Sequence, residues 1–298
     1  MNFSFLKASR VFALGFVFAS CATYRNYQGN QPILQGHEAL SNNWGLPTSV
    51  TRMIPYVPGG ELDHRYGDLY RPSDKKIYPG ILLVHGGGWN GGSPDQMKPI
   101  AQALARNGYV VYSVTYRLAP QSHFPAQVED LVSAIRYMRS NAQQFGLDPK
   151  RVGGFGYSAG AHLINLLALG NYGEDAKLSA VVSGGTPSDL TRFQDSPLVK
   201  KLIGGDYLEK KSAWEDASPI LRLEQSPHIP PTYLYHGKWD RIVPFEQFEI
   251  YRDALLKKGV WVETYEVPYL GHIPLFLFNE SSVDRGIEFL NKILKRSS

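Results

Sequence analysis

Cysteine is nearly missing. The 298-residue chain contains one, Cys21, so no intramolecular disulfide can form and a cysteine zinc cluster is excluded. Runs of Lys or Arg are missing too. The formal charge is only +4, and without a basic patch or arm the chain lacks the electrostatic footprint of a nucleic-acid binder. No segment after the N-terminus is long and apolar enough to read as a transmembrane helix. Internal repeats and low-complexity blocks are absent. Apolar residues are not scarce: 43% of the chain is hydrophobic and 12% aromatic, enough to bury a substantial core and to argue against global disorder.

The N-terminus has its own pattern. Lys7 and Arg10 precede the uncharged run VFALGFVFA at residues 11–19, followed by Ser20 and Cys21. A basic start, a short apolar core and small residues predict a secretory signal peptide over residues 1–21, hence export. FASC, ending at Cys21, resembles the lipobox of bacterial lipoproteins, with Phe18 where Leu is usual. Lipidation of Cys21 would tether the chain to a membrane; cleavage after Ala22 is the alternative. Residues 22–47, rich in Asn, Gln, Gly and Tyr, read as a tether and N-terminal arm.

From residue 48 to residue 298, strand-like and helix-like segments alternate. GILLVHGG, an apolar run stopped by glycines, suits a strand buried on both faces. Val128, Leu131, Ile135 and Met138 recur at helical spacing in a predicted helix over residues 125–146, closed by Gly146, with Glu129 and Asp130 read as scaffold. The alternation predicts one α/β domain, a mostly parallel sheet with helices on both faces. Residues 187–228 show no clear strand and read as a cap-like excursion.

GGFGYSAGAHL, residues 153–163, supports two chemistries. Gly154-Phe155-Gly156-Tyr157-Ser158-Ala159 fits G-x-G-x-x-A, the turn that cradles a dinucleotide pyrophosphate; Glu174 or Asp175 would then bind the ribose. That reading implies a nicotinamide-dependent oxidoreductase, but at least three strand candidates precede a motif that belongs in the first βα unit. Gly156-Tyr157-Ser158-Ala159-Gly160 fits G-x-S-x-G, the nucleophile elbow of serine hydrolases. There the turn is so sharp that the flanking residues must be small, and the helix behind Ser158 offers Ala159 N–H to a developing oxyanion.

Two further stretches fit the second reading. In HGGGW, His85 to Trp89, three glycines free the backbone to aim N–H groups at a ligand, with Gly87 and Gly88 the best oxyanion donors. His85 reads as a brace for this loop, and Trp89 and Tyr157 as substrate-pocket walls. A serine needs a base, and in this fold the order is Ser, acid, His. His37, His64, His85 and His123 precede Ser158; His162 lies one helical turn beyond it and reads as packing or solvent-facing. His228 and His236 open and close a strand, which leaves His272, in a loop after the last strand. Asp240, in the loop of YHGKWDRIVP, is the acid expected to hold the imidazole; Glu246 and Glu249 fall on a predicted helix and read as a solvated face.

Taken together, HGGGW, YRLAP, FPAQVEDLVSAIRYM, FGLDPKRVGGFGYSAGAHL and HGKWDRIVP resemble the hormone-sensitive-lipase-type and feruloyl-esterase-like carboxylesterases of the α/β-hydrolase superfamily, from about residue 50 to the C-terminus. Tyr157, where the hormone-sensitive-lipase branch usually has Asp, and Ala161, where it often has Gly, point to the feruloyl-esterase-like and acetyl-esterase relatives. The resemblance implies an eight-stranded, mostly parallel sheet, no metal or organic cofactor, and ester hydrolysis through an acyl-enzyme. The expected substrate is a small-molecule ester with a short acyl chain. An arylformamidase-like amidase or sugar deacetylase uses the same machinery, and a non-catalytic surface lipoprotein is the reading without chemistry.

Overall fold

The computed structural model describes residues 22–28, 31–33, 45–60, 63–278 and 280–295. The predicted signal segment and Cys21 lie outside the described residues.

Eight strands form the expected sheet: β3 (Thr48–Pro55), β4 (Tyr66–Pro72), β5 (Tyr78–Val84), β6 (Val110–Val114), β7 (Leu147–Tyr157), β8 (Val181–Gly184), β9 (Thr232–Gly237) and β10 (Val262–Val267). Two more precede them, β1 (Thr23–Gln28) and β2 (Gln31–Ile33), and the order across the sheet is β2-β1-β10-β9-β8-β7-β5-β6-β4-β3. From β6 to β10 every pair is parallel. At one edge β4 and β3 run antiparallel, and at the other β1 and β2 do. The α/β-hydrolase fold is therefore present, with ten strands among the described residues rather than eight. The N-terminal arm supplies the extra pair because β10 would otherwise expose a row of unpaired backbone groups.

Strand β5 shows why the sheet needs cover on both faces. Leu82 and Val84 enter one apolar cluster and Ile81 and Leu83 the other, all fully buried. The first cluster packs against helices α2 (Ala126–Ser140) and α4 (Ala159–Leu169); the second packs against α1 (Lys98–Arg106) and α10 (Glu280–Leu294). Helix α4 buries every residue from Ala159 to Leu169, as expected of a helix that is apolar all round.

The predicted helix over 125–146 is divided. Helix α2 ends before Asn141, and a short α3 (Ala142–Phe145) closes on Gly146, whose φ of 71° gives the left-handed cap. The excursion folds as a 3₁₀ turn (Leu190–Arg192) and three short helices, α5 (Pro197–Ile203), α6 (Lys211–Asp216) and α7 (Pro219–Arg222). Gln247 pins its start: the side-chain oxygen accepts from Ser188 N–H at 2.9 Å and Asp189 N–H at 2.8 Å. Gln247 belongs to α8 (Phe245–Lys257), which follows β9. The last short helix, α9 (His272–Leu277), follows β10.

Candidate active site

Ser158 stands between β7 and α4 with φ 53° and ψ −123°, a conformation that L-residues rarely adopt and that marks functional sites. The turn closes only because its neighbours lack side chains. A Cβ on Gly156 would lie 2.4 Å from the carbonyl of Gly160, and one on Gly160 would lie 2.2 Å from Val84 O and 2.5 Å from His85 O. These contacts account for both glycines of G-x-S-x-G. The dinucleotide reading gains no support from its ribose-binding acids. Its candidate acid Asp175 pairs with Arg136 at 2.9 Å and Glu174 with Lys177.

Three strand ends meet at this point. Ser158 follows β7, Asp240 follows β9 and His272 follows β10, all at the carboxyl rim of the parallel strands. His272 Nδ1 lies 2.6 Å from Asp240 Oδ2, and His272 Nε2 lies 2.7 Å from Ser158 Oγ. A carboxylate only accepts, so Nδ1 carries the proton and Nε2 is free to accept from the serine hydroxyl. Rather than lying in a loop, His272 opens α9, behind Gly271. Tyr157 holds it there by donating its hydroxyl to His272 O at 2.6 Å, the two rings 5.1 Å apart.

Asp240 is buried and its acceptor sites are filled. Ile242 N–H and Val243 N–H donate to Oδ1 at 2.9 and 2.8 Å, and His236 Nε2 lies 3.3 Å from Oδ2. Burial pushes the carboxyl up, but hydrogen bonds from His236 and His272 outweigh it and hold the group well below the usual carboxylate range. The sequence reading missed His236 as a partner of Asp240. Its signal was the spacing of four between them, visible in YHGKWD but not decisive without the loop's path.

The glycine loop forms the opposite wall. Gly87 and Gly88 have φ of 110° and 58°, and Trp89 has 60°. A Cβ on Gly87 would sit 2.3 Å from Gly91 O. His85 is fully buried; Nδ1 lies 2.7 Å from Gly86 O, Nε2 lies 2.9 Å from Thr115 Oγ1, and the ring stacks on Tyr116. Nδ1 therefore donates and Nε2 accepts, which braces the loop. His162 is also buried, neither solvent-facing nor idle. Nε2 donates to Ala217 O at 2.6 Å, which leaves Nδ1 to accept from Trp89 Nε1–H at 3.1 Å. Desolvation pulls both imidazoles down to about 4, so both are neutral at neutral pH.

A cavity of ≈ 260 Å³ opens beside Ser158. Gly86 to Trp89, Tyr157, Ala159 and His272 line it from below, and Pro187, Phe193, Leu198 and Val199 of the excursion line it from above. The other acid candidates lie elsewhere: Glu246 pairs with Arg192 at 2.6 Å on the surface, and Glu249 is exposed. Asp130 is bound by Arg117, as a scaffold residue would be. Among the described residues no group of His, Cys, Asp and Glu has the arrangement of a metal site.

The chain is similar to known esterases. It is 27% identical over 240 residues to the probable carboxylic ester hydrolase LipM of Mycobacterium tuberculosis, covering 74% of this chain and 55% of that protein. It is 29% identical over 243 residues to esterase LipQ of the same organism, covering 74% and 56%. The chain thus spans about half the length of the curated relatives it matches. Among solved structures, a truncated carbohydrate esterase from gut microbiota superimposes with a TM-score of 0.74 at 23% identity, covering 87% of this chain and all of that one. The BD-FAE family model matches residues 68–255, a span that holds the glycine loop, Ser158 and Asp240. The chain belongs to the BD-FAE family.

Proposed function

We propose that this protein is a serine esterase that cleaves carboxylic esters with short acyl groups. The observation that carries the reading is the continuous hydrogen-bonded chain Asp240–His272–Ser158 opening into a cavity. Esterase names among the relatives support the same class.

In this mechanism His272 Nε2 takes the proton of Ser158 Oγ as the oxygen attacks the ester carbonyl carbon. The carbonyl electron pair moves onto oxygen, where the N–H groups of Gly87, Gly88 and Ala159 receive it. The tetrahedral intermediate collapses, the C–O bond to the alcohol breaks, and His272 returns the proton to the departing oxygen. Water then repeats the sequence on the acyl-enzyme: His272 takes its proton, the hydroxide adds to the acyl carbon, and Ser158 leaves reprotonated with release of the acid. Asp240 holds the imidazole tautomer and stabilises the imidazolium. The preference for a short acyl group is supported by the size of the cavity, which is below the roughly 300–1,000 Å³ of sites for drug-sized ligands.

Hydrolysis of 4-nitrophenyl acetate and butyrate by the wild type and Ser158→Ala tests the assignment. The variant is expected to retain less than about a thousandth of the rate, and equal rates would refute it. A fluorophosphonate should label the wild type and leave Ser158→Ala unmodified.

A further inference from the structure

Strand β1 joins the sheet in a way that determines where the preceding chain emerges. It runs antiparallel to β10, with Thr23 opposite Glu266 and Tyr27 opposite Val262. The chain before Thr23 therefore leaves the fold beside the carboxyl end of β10, the rim that carries Asp240 and His272. Ala22 packs against the apolar cluster that includes Leu270 and Leu275, with Phe276 at its margin. Cys21, the expected lipidation site, precedes Ala22 directly in the sequence, so a chain anchored through it is anchored at this rim.

The same rim is unusually apolar. Trp239 and Ile242 follow β9, and Tyr269, Ile273, Leu277 and Phe278 follow β10; each is more than half exposed. Ile242 and Ile273 also line the cavity that holds Ser158. The rings of Trp239 and Tyr269 meet edge to face with centroids 5.0 Å apart. The loop that carries Trp239 is tied to the one after β10: Trp239 N–H donates to Leu270 O at 3.0 Å and Lys238 N–H to Val267 O at 2.9 Å. Clustered exposed apolar side chains mark interaction surfaces, and a Trp–Tyr pair suits a boundary that is apolar on one side and wet on the other. Exposed Arg241 adds a positive charge that anionic headgroups attract.

We propose that this rim is a membrane-docking surface. A lipid on Cys21 holds the chain to a membrane so that the cavity mouth faces it, and the ester is drawn from that surface, its short acyl group entering the cavity while its alcohol stays lipid-borne. The chemistry rests on the serine-esterase reading; the orientation rests on the β1 register, the exposed rim and the anchor read at Cys21.

The test uses the full chain with vesicles of phosphatidylethanolamine and phosphatidylglycerol, some carrying brominated acyl chains. The wild type is expected to float with the vesicles and its tryptophan emission to be quenched by bromine, with at least half of the quenching lost in Trp239→Phe. Failure to float, or quenching indifferent to Trp239→Phe, overturns the proposal. So does a lipid-free dimer in which Trp239 is shielded from iodide, since a second copy would then cover the rim. A kinetic arm uses Trp239→Ser/Leu277→Ser/Phe278→Ser. Acetate release from vesicle-borne hexadecyl acetate is expected to fall at least five-fold relative to soluble 4-nitrophenyl acetate, and an unchanged ratio counts against docking. Quenching at Trp239 in a chain without esterase activity would leave the orientation standing and sink only the enzymatic reading.

Discussion

Trp89 donates its indole N–H to Nδ1 of His162 across 3.1 Å, which ties the glycine loop to the helix that begins behind Ser158. The other nitrogen of His162 reaches Ala217 in the excursion. One buried imidazole thus joins the loop, the serine helix and the excursion. Replacing His162 by Leu leaves a buried N–H and a buried carbonyl without partners, each costing about 1–3 kcal/mol. Urea denaturation should show a loss in that range or above. His162→Gln, which can still accept and donate, should recover part of it.

Acid should weaken the fold well before it reaches Asp240. His85 and His162 sit at about 4 in the folded state against 6.5 in the unfolded chain. The unfolded chain therefore binds their protons first as pH falls, and stability is lost between about 6.5 and 4. Each histidine contributes on the order of 3 kcal/mol of this loss. Asp240 is also depressed, but its contribution survives until pH falls below the ordinary carboxylate value, 3.8. Urea midpoints measured from pH 7.5 to 4.5 should decline, and the decline should be about half as steep in His162→Gln. A flat profile contradicts the buried neutral pair.

Gly160→Ala should be worse than a helix propensity scale suggests. Alanine favours a helix over glycine by about 1 kcal/mol, yet here its methyl would meet two backbone carbonyls at 2.2 and 2.5 Å. Backbone cannot give way as a flexible side chain does, so the clash wins. The variant is expected to lose thermal stability and to displace Ser158, lowering ester turnover at least ten-fold. Wild-type melting temperature and rate would show that α4 can shift without cost.

Asp240→Asn separates orientation from folding. An amide can turn its N–H toward Nδ1 of His272 and so favour the wrong tautomer, with Nε2 protonated against Ser158. A loss of about 10⁴ in kcat is the size such an exchange produces in serine hydrolases. KM for 4-nitrophenyl acetate should change little, because the cavity walls remain. A KM effect larger than the kcat effect would show that Asp240 shapes the cavity rather than the base.

Part of this architecture was readable along the chain because its causes are local. GILLV alternates between two buried faces, and G-x-S-x-G announces an elbow because only glycine fits beside the turn. Helix α1 was overlooked, although Ile100, Ala101, Leu104 and Ala105 are spaced for one buried face. Strand β1 had no local signature. Its partner is the far edge of the sheet, and Tyr24, bonded to Glu263, and Trp261, whose indole donates to Asn26 at 3.0 Å, fasten it from more than 230 positions away. Chain order and position single out His272 among the eight histidines, but nothing in the local pattern shows that His236 touches Asp240.

The sequence by itself determined which residue types were at hand for a nucleophile, a base and an acid and which segments must be buried, because these are properties of side-chain type and near-neighbour spacing. Only the tertiary structure decided that Asp240, His272 and Ser158 share one hydrogen-bonded line, that His162 joins three separate segments, and that the N-terminal strand enters at the rim that carries them. Those relations depend on strand order and register, which arise when distant segments bury their apolar faces together and which no local pattern encodes.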